Sequence, residues 1–217
     1  MRRFRPTRVR LVASILVGSL GFASVGYAAS LGLGSKQLHA WRQTLTKGTC
    51  NQTSTTADDT YVQQALPTST AGGTATTLTI SPLAGAQDYA FIRFNLSGCS
   101  LPTSAGADSA VLTVRVTTAG ADTISLFPVT SSWSSSTLNW NGVSSLTIGS
   151  TATGTFSASS TGNKTVTVTA DVDAAIKAGT LWGWELRATS GTAIVAIGAA
   201  QNGTAANRPS MTLSYEK

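Results

Sequence analysis

Tyr89 and Arg93 carry the most suggestive chemistry in the chain, because they fall two pleats apart in its strongest strand pattern. In Tyr89-Ala90-Phe91-Ile92-Arg93-Phe94-Asn95-Leu96 the residues alternate, so Ala90, Ile92, Phe94 and Leu96 share one face. That face reads as core, which leaves Tyr89, Phe91 and Arg93 on the other. A tyrosine ring offers a flat apolar surface beside a hydroxyl, and a guanidinium offers a planar fork of donors. Together they form a candidate polar-aromatic patch for ligand binding. Trp133 and Trp140, set in a Ser/Thr/Asn-rich stretch, are the next candidates, although packing is the favoured account of them. Trp182, Trp184 and Leu186 share a face by alternation, and that apolar face is expected to be core.

Other chemistries find few residues to work with. The single histidine, His39, precedes the region of strand patterns, so no Ser-His-Asp triad can be assembled there. Metal sites of the His- or Cys-rich kind are likewise excluded, and no metal ligand set or cofactor is expected. Asp58 and Asp59 invite calcium, which needs six or more oxygens, but no DxDxDG ladder accompanies them. A solvated strand end is the simpler account. Asp171 and Asp173 suit a helix N-terminus, and Glu185 falls opposite the apolar side of its strand, where water would reach it. The chain reads as non-catalytic.

The elements that would position these residues begin behind an export segment. Arg2, Arg3, Arg5, Arg8 and Arg10 precede an uncharged stretch from Leu11 to Ser35, with small residues near Gly26-Tyr27-Ala28. This pattern fits a signal peptide, residues 1–28, cut after Ala28. The alternative is a membrane anchor formed by residues 11–29, held by the arginines on the cytoplasmic side. Removing residues 1–28 takes five of the 15 basic residues and none of the nine acidic ones, leaving a nearly neutral chain. No basic patch remains to bind nucleic acid, and a membrane is a partner only if the apolar segment is retained.

Residues 29–57 read as a leader, polar and without periodicity from Thr44 to Ala57. From residue 58 to 217 short strand patterns recur between turn signals: Thr60–Gln63, Thr77–Ile80, Tyr89–Leu96, Val111–Val116, Ile124–Phe127, Thr165–Thr169, Leu181–Ala188, Ala193–Ile197 and Met211–Tyr215. One helix interrupts at Asp171–Gly179, with an N-cap aspartate, a lysine in its last turn and a closing glycine. Cys50 and Cys99 are an even pair in an exported chain, which suggests a disulfide rather than two free thiols. Frequent short strands and long connections such as 141–163 describe an all-β, two-sheet β-sandwich of jelly-roll type with one short helix. An immunoglobulin-like sandwich is the alternative.

Several of these features occur in a familiar order. Asp59-Thr60-Tyr61-Val62 precedes Pro67-Thr68, then Phe91-Ile92-Arg93-Phe94-Asn95-Leu96-Ser97 and Ser109-Ala110-Val111-Leu112-Thr113-Val114. Ser132-Trp133, Asn139-Trp140-Asn141 and a closing Asn207-Arg208-Pro209 complete the series. Over about residues 57–216 this resembles the DNRLRE-domain family, related to a jelly-roll carbohydrate-binding module family of secreted bacterial proteins. The sequence departs from that pattern at Ser69-Thr70-Ala71-Gly72, at Ser134-Ser135-Ser136 and near Gln201-Asn202, which bears on an inherited ligand site more than on the fold. The resemblance implies an extracellular or cell-surface module that binds a polysaccharide or cell-envelope glycan. The alternative is a structural or adhesive envelope protein with no soluble ligand.

Overall fold

Alternation of apolar and polar residues gives most of this chain a buried face and a wet face, and two such sheets close on each other. The structure, a computed structural model, describes residues 47–216 apart from 54, 103 and 104. The expected signal peptide, and the leader as far as residue 46, lie outside the described residues.

One sheet has six strands. Its continuous order is β1 (Lys47–Gln52), β11 (Ser210–Glu216), β5 (Gly106–Thr118), β10 (Val195–Gly198) and β3 (Thr77–Ile80), and β8 (Gly162–Thr167) also pairs with β5. The other sheet has five, in the order β2 (Ala57–Gln63), β4 (Asp88–Phe94), β9 (Trp184–Ser190), β6 (Thr123–Pro128) and β7 (Gly154–Ser157). All the pairings are antiparallel. From β1 to β6 the chain changes sheet at every strand, the winding of a jelly roll. The all-β sandwich expected from sequence is the fold observed.

The core lies between the sheets. Leu78, Ile80, Ile92, Phe94, Leu112, Val114, Ile124, Leu126, Trp184, Leu186, Ile197, Met211 and Leu213 are all essentially inaccessible. Burying side chains of this size contributes roughly 1.5–3 kcal/mol each before entropy is counted. Cys50 and Cys99 form a disulfide with Cα atoms 5.4 Å apart, as the even pair suggested.

Three expectations need correcting. Lys47–Gln52, read as part of a polar leader, is strand β1; it pairs along β11 from Lys47↔Glu216 to Gln52↔Met211. Its side chains are mostly polar, so its place comes from the β11 edge and the disulfide rather than from periodicity. The short strand β7 also escaped, because Gly154-Thr155-Phe156-Ser157 has one apolar residue to reveal it. The helix begins earlier than Asp171: α1 is a short turn at Trp140–Val143, and α2 runs Thr169–Ala178 with Val168 at its N-cap. Asp171 does not cap α2; its carboxylate accepts from the indole Nε1 of Trp184 at 2.6 Å and from the Thr153 hydroxyl. Gly179 closes the helix in the left-handed conformation, as expected.

The connection between β6 and β7 departs from the simple picture of a sandwich with two wet outer faces. It folds back over the outside of the five-stranded sheet and makes a second apolar cluster there. Val62, Phe91, Val129, Trp133 and Leu138 are buried in it, with Tyr89, Trp140, Val143, Leu146, Ile148 and Trp182 packed around them.

Candidate functional site

The outer face of the five-stranded sheet is assembled by register. Strand β4 projects Tyr89, Phe91 and Arg93 outward, and β2 sets Val62, Thr60 and Asp58 beside them in that order. On the other side β9 places Glu185 next to Phe91, and β6 places Phe127 next to Glu185 and Ser125 next to Arg187. All four residues singled out from sequence, Tyr89, Arg93, Trp133 and Trp140, come together on or over this face.

They do not form an open patch. Phe91 is fully buried and Trp133 is 7% exposed, its indole Nε1 donating to the Trp182 carbonyl at 2.7 Å. Tyr89 and Trp140 are half-buried, and their ring centroids are 4.9 Å apart. Arg93 donates twice to Asp58 Oδ2, at 3.0 and 2.7 Å, and its guanidinium lies 5.0 Å from the Trp133 ring and 5.4 Å from the Trp182 ring. The free, water-facing Tyr89–Arg93 pair expected from alternation is corrected: Trp133 of the returning loop and Trp182, just before β9, flank Arg93, and Asp58 engages its donors. Cation–π contacts of this kind contribute about 0.5–2 kcal/mol each.

Trp182 was expected in the core with Trp184. It lies instead in the outer cluster, because Gly183 between them takes φ +78° and turns the chain over. A Cβ at Gly183 would stand 2.0 Å from the Ile92 carbonyl oxygen, so the same glycine also permits close approach to β4. Trp182, Arg93 and Asp58 are among the residues that line an open cleft of about 930 Å³, together with Leu96, Leu101 and Ile176.

The carboxylates behave differently from expectation as well. Asp58 is paired with Arg93, and Asp59 is fully buried, its Oδ2 accepting from the Ala200 amide at 2.6 Å. Burial pushes the Asp59 carboxyl up to about 7, against that hydrogen bond, and the neighbouring Asp58 charge adds to the rise. Asp58 and Asp59 are therefore not a solvated strand end. Glu185, expected in water, is 1% exposed in the middle of the outer face, and burial raises its pKa against the opposing pull of Arg187. Among the described residues no three His, Cys, Asp or Glu side chains converge as a metal site.

Arg187 is the residue that sequence reasoning passed over. It stands two places beyond Glu185 on the outward side of β9, with its guanidinium 3.9 Å from the Phe127 ring centroid and 5.9 Å from that of Tyr89. Its signal was available, since alternation in Trp184-Glu185-Leu186-Arg187 puts Arg187 opposite the core residues. What sequence could not supply was the neighbouring strand order that brings β9 beside Tyr89.

Fold and face together define a β-sandwich domain with a surface of stacked rings and guanidinium groups. Over residues 51–215 the sequence matches the model of carbohydrate-binding module family 96, and the chain belongs to that family. None of the curated proteins compared with it matches. No helix among the described residues is long and apolar enough to cross a membrane.

Proposed function

We propose that this protein is a non-catalytic extracellular or cell-surface module that binds a polysaccharide along the outer face of its five-stranded sheet. Membership of carbohydrate-binding module family 96 is the observation that carries the ligand class. The Cys50–Cys99 disulfide supports an oxidising compartment, in keeping with export directed by residues 1–28. Tyr89, Trp140 and Trp182 are only half-buried, which supports stacking of sugar rings against them. Arg93, held between Asp58 and two indoles, is half of a neutralised ion pair that fixes the aromatic rings at that end of the face.

A shallow surface with a few weak contacts implies micromolar to millimolar affinity, roughly −4 to −8 kcal/mol. Affinity electrophoresis of the exported protein through plant, algal and bacterial polysaccharides is the test. Retardation by at least one of them is expected. Failure of every polysaccharide to retard it would favour a structural envelope protein with no soluble ligand.

A further inference from the structure

Arg93 and Arg187 both belong to the outer face of the five-stranded sheet, but they are held in different ways. Arg93 makes two hydrogen bonds to Asp58 and is flanked by Trp133 and Trp182, with its side chain 25% exposed. Arg187 makes no hydrogen bond to another described residue. Its nearest anionic partner is Glu185 Oε2, 3.8 Å from Nη1, which is attraction without a hydrogen bond. Its side chain is 35% exposed, and its guanidinium rests on the Phe127 ring.

Glu185 explains why Arg187 stays there. The carboxylate is 1% exposed, and its Oε2 has no hydrogen-bond partner. A buried carboxylate oxygen lacking a hydrogen bond is costly, so the nearby cation is drawn toward it. Phe127 holds the flat side of the same guanidinium. The result is a row of groups, Trp140, Tyr89, Arg187 and Phe127, in which two half-buried rings stand beside an arginine whose five N–H donors make no hydrogen bond to another described residue.

We propose that Arg187 is the residue that hydrogen-bonds the glycan, with Tyr89 and Trp140 as the stacking surface beside it and Glu185 as the positioning residue beneath it. This deepens the polysaccharide reading and rests on it. A planar fork of donors takes a pair of oxygen acceptors, which in a sugar is a vicinal diol or a carboxylate.

The test has two arms on the full exported protein. In the first, the arginine Nε–Hε signals are followed by NMR during titration with sodium D-glucuronate and, separately, with methyl glucoside. The Arg187 signal is expected to move and the Arg93 signal to stay; the probe that moves it tells carboxylate from diol recognition. In the second arm, Arg187→Ala and Arg187→Lys are compared with wild type on a retarding polysaccharide. Arg187→Ala should weaken binding at least tenfold, and Arg187→Lys, which keeps the charge but loses the fork, should recover little of it. Glu185→Gln, which removes the charge that draws Arg187 into place, should weaken binding less than Arg187→Ala does and remove the part of its pH dependence that comes from the carboxyl.

An Arg187 signal unmoved by both sugars, or Arg187→Ala retarded like wild type, overturns the assignment while leaving the polysaccharide reading intact. Movement of Arg187 with no polysaccharide retarding the protein would sustain the site and overturn the polysaccharide reading alone.

Discussion

Asp59 makes a specific statement about pH. Its carboxyl titrates near 7 when folded and near 4 when unfolded. A raised native value means that the folded state holds the proton more tightly. The contribution to stability is therefore fullest below about pH 4, falls as pH rises toward 7, and is level above that. The loss across this window is on the order of 4 kcal/mol at most. Asp59→Asn keeps an oxygen for the Ala200 amide and removes the titration. Urea unfolding between pH 4 and 8 should show a steep decline for wild type and a much flatter profile for the variant. Parallel profiles would mean that Asp59 is not the proton acceptor. None of this could be read from Asp58-Asp59 as a dipeptide, since alternation says only that one of the two points inward. The depth of that inward side depends on the Ala200 loop, far along the chain.

Strand β1 and helix α2 show how elements are fixed by single contacts. β1 is an edge strand with mostly polar side chains, and Cys50 ties it to Cys99 across a separation of 49 residues. Closing a loop of that size stabilises by about 4 kcal/mol in the chain-entropy model. Cys50→Ser with Cys99→Ser should cost about that much, and amide exchange should show β1 losing protection before β5 does. Retained protection at β1 would show that β11 pairing alone holds it. At α2, Asp171 accepts from Trp184, whose ring is fully buried. Asp171→Ala leaves that indole N–H without its partner and should cost about 1–3 kcal/mol, measurable by thermal or urea unfolding. A change below 0.5 kcal/mol would contradict the role given to this bond.

These elements also mark the limit of sequence reading. Tyr89–Leu96, Val111–Val116 and Met211–Tyr215 were legible because β-branched and aromatic residues alternate cleanly there. β1 and β7 were not, because short strands held by pairing or a disulfide need no apolar stripe. Trp182 was misplaced for a related reason: alternation assumes an unbroken strand, and Gly183 breaks it.

Across the whole molecule, the asymmetry between the two outer faces is the feature most relevant to function. On the five-stranded sheet the returning β6–β7 connection builds a second apolar cluster over β2 and β4, and the candidate residues collect there. Sequence analysis could name Tyr89, Arg93, Trp133 and Trp140, but not that one loop would gather them and at the same time reduce their exposure. Outward residues of the six-stranded sheet are mostly threonine, serine and asparagine, such as Thr113, Thr165, Thr212 and Asn51. The account therefore places glycan recognition on one sheet only. Calorimetry with a retarding polysaccharide tests this most directly, comparing wild type with the Tyr89→Ala/Trp140→Ala double variant and with Thr113→Lys/Thr165→Lys on the opposite face. The account predicts at least tenfold weaker binding for the first variant and wild-type affinity for the second. Wild-type affinity in the first and lost binding in the second, both proteins being folded, would contradict it.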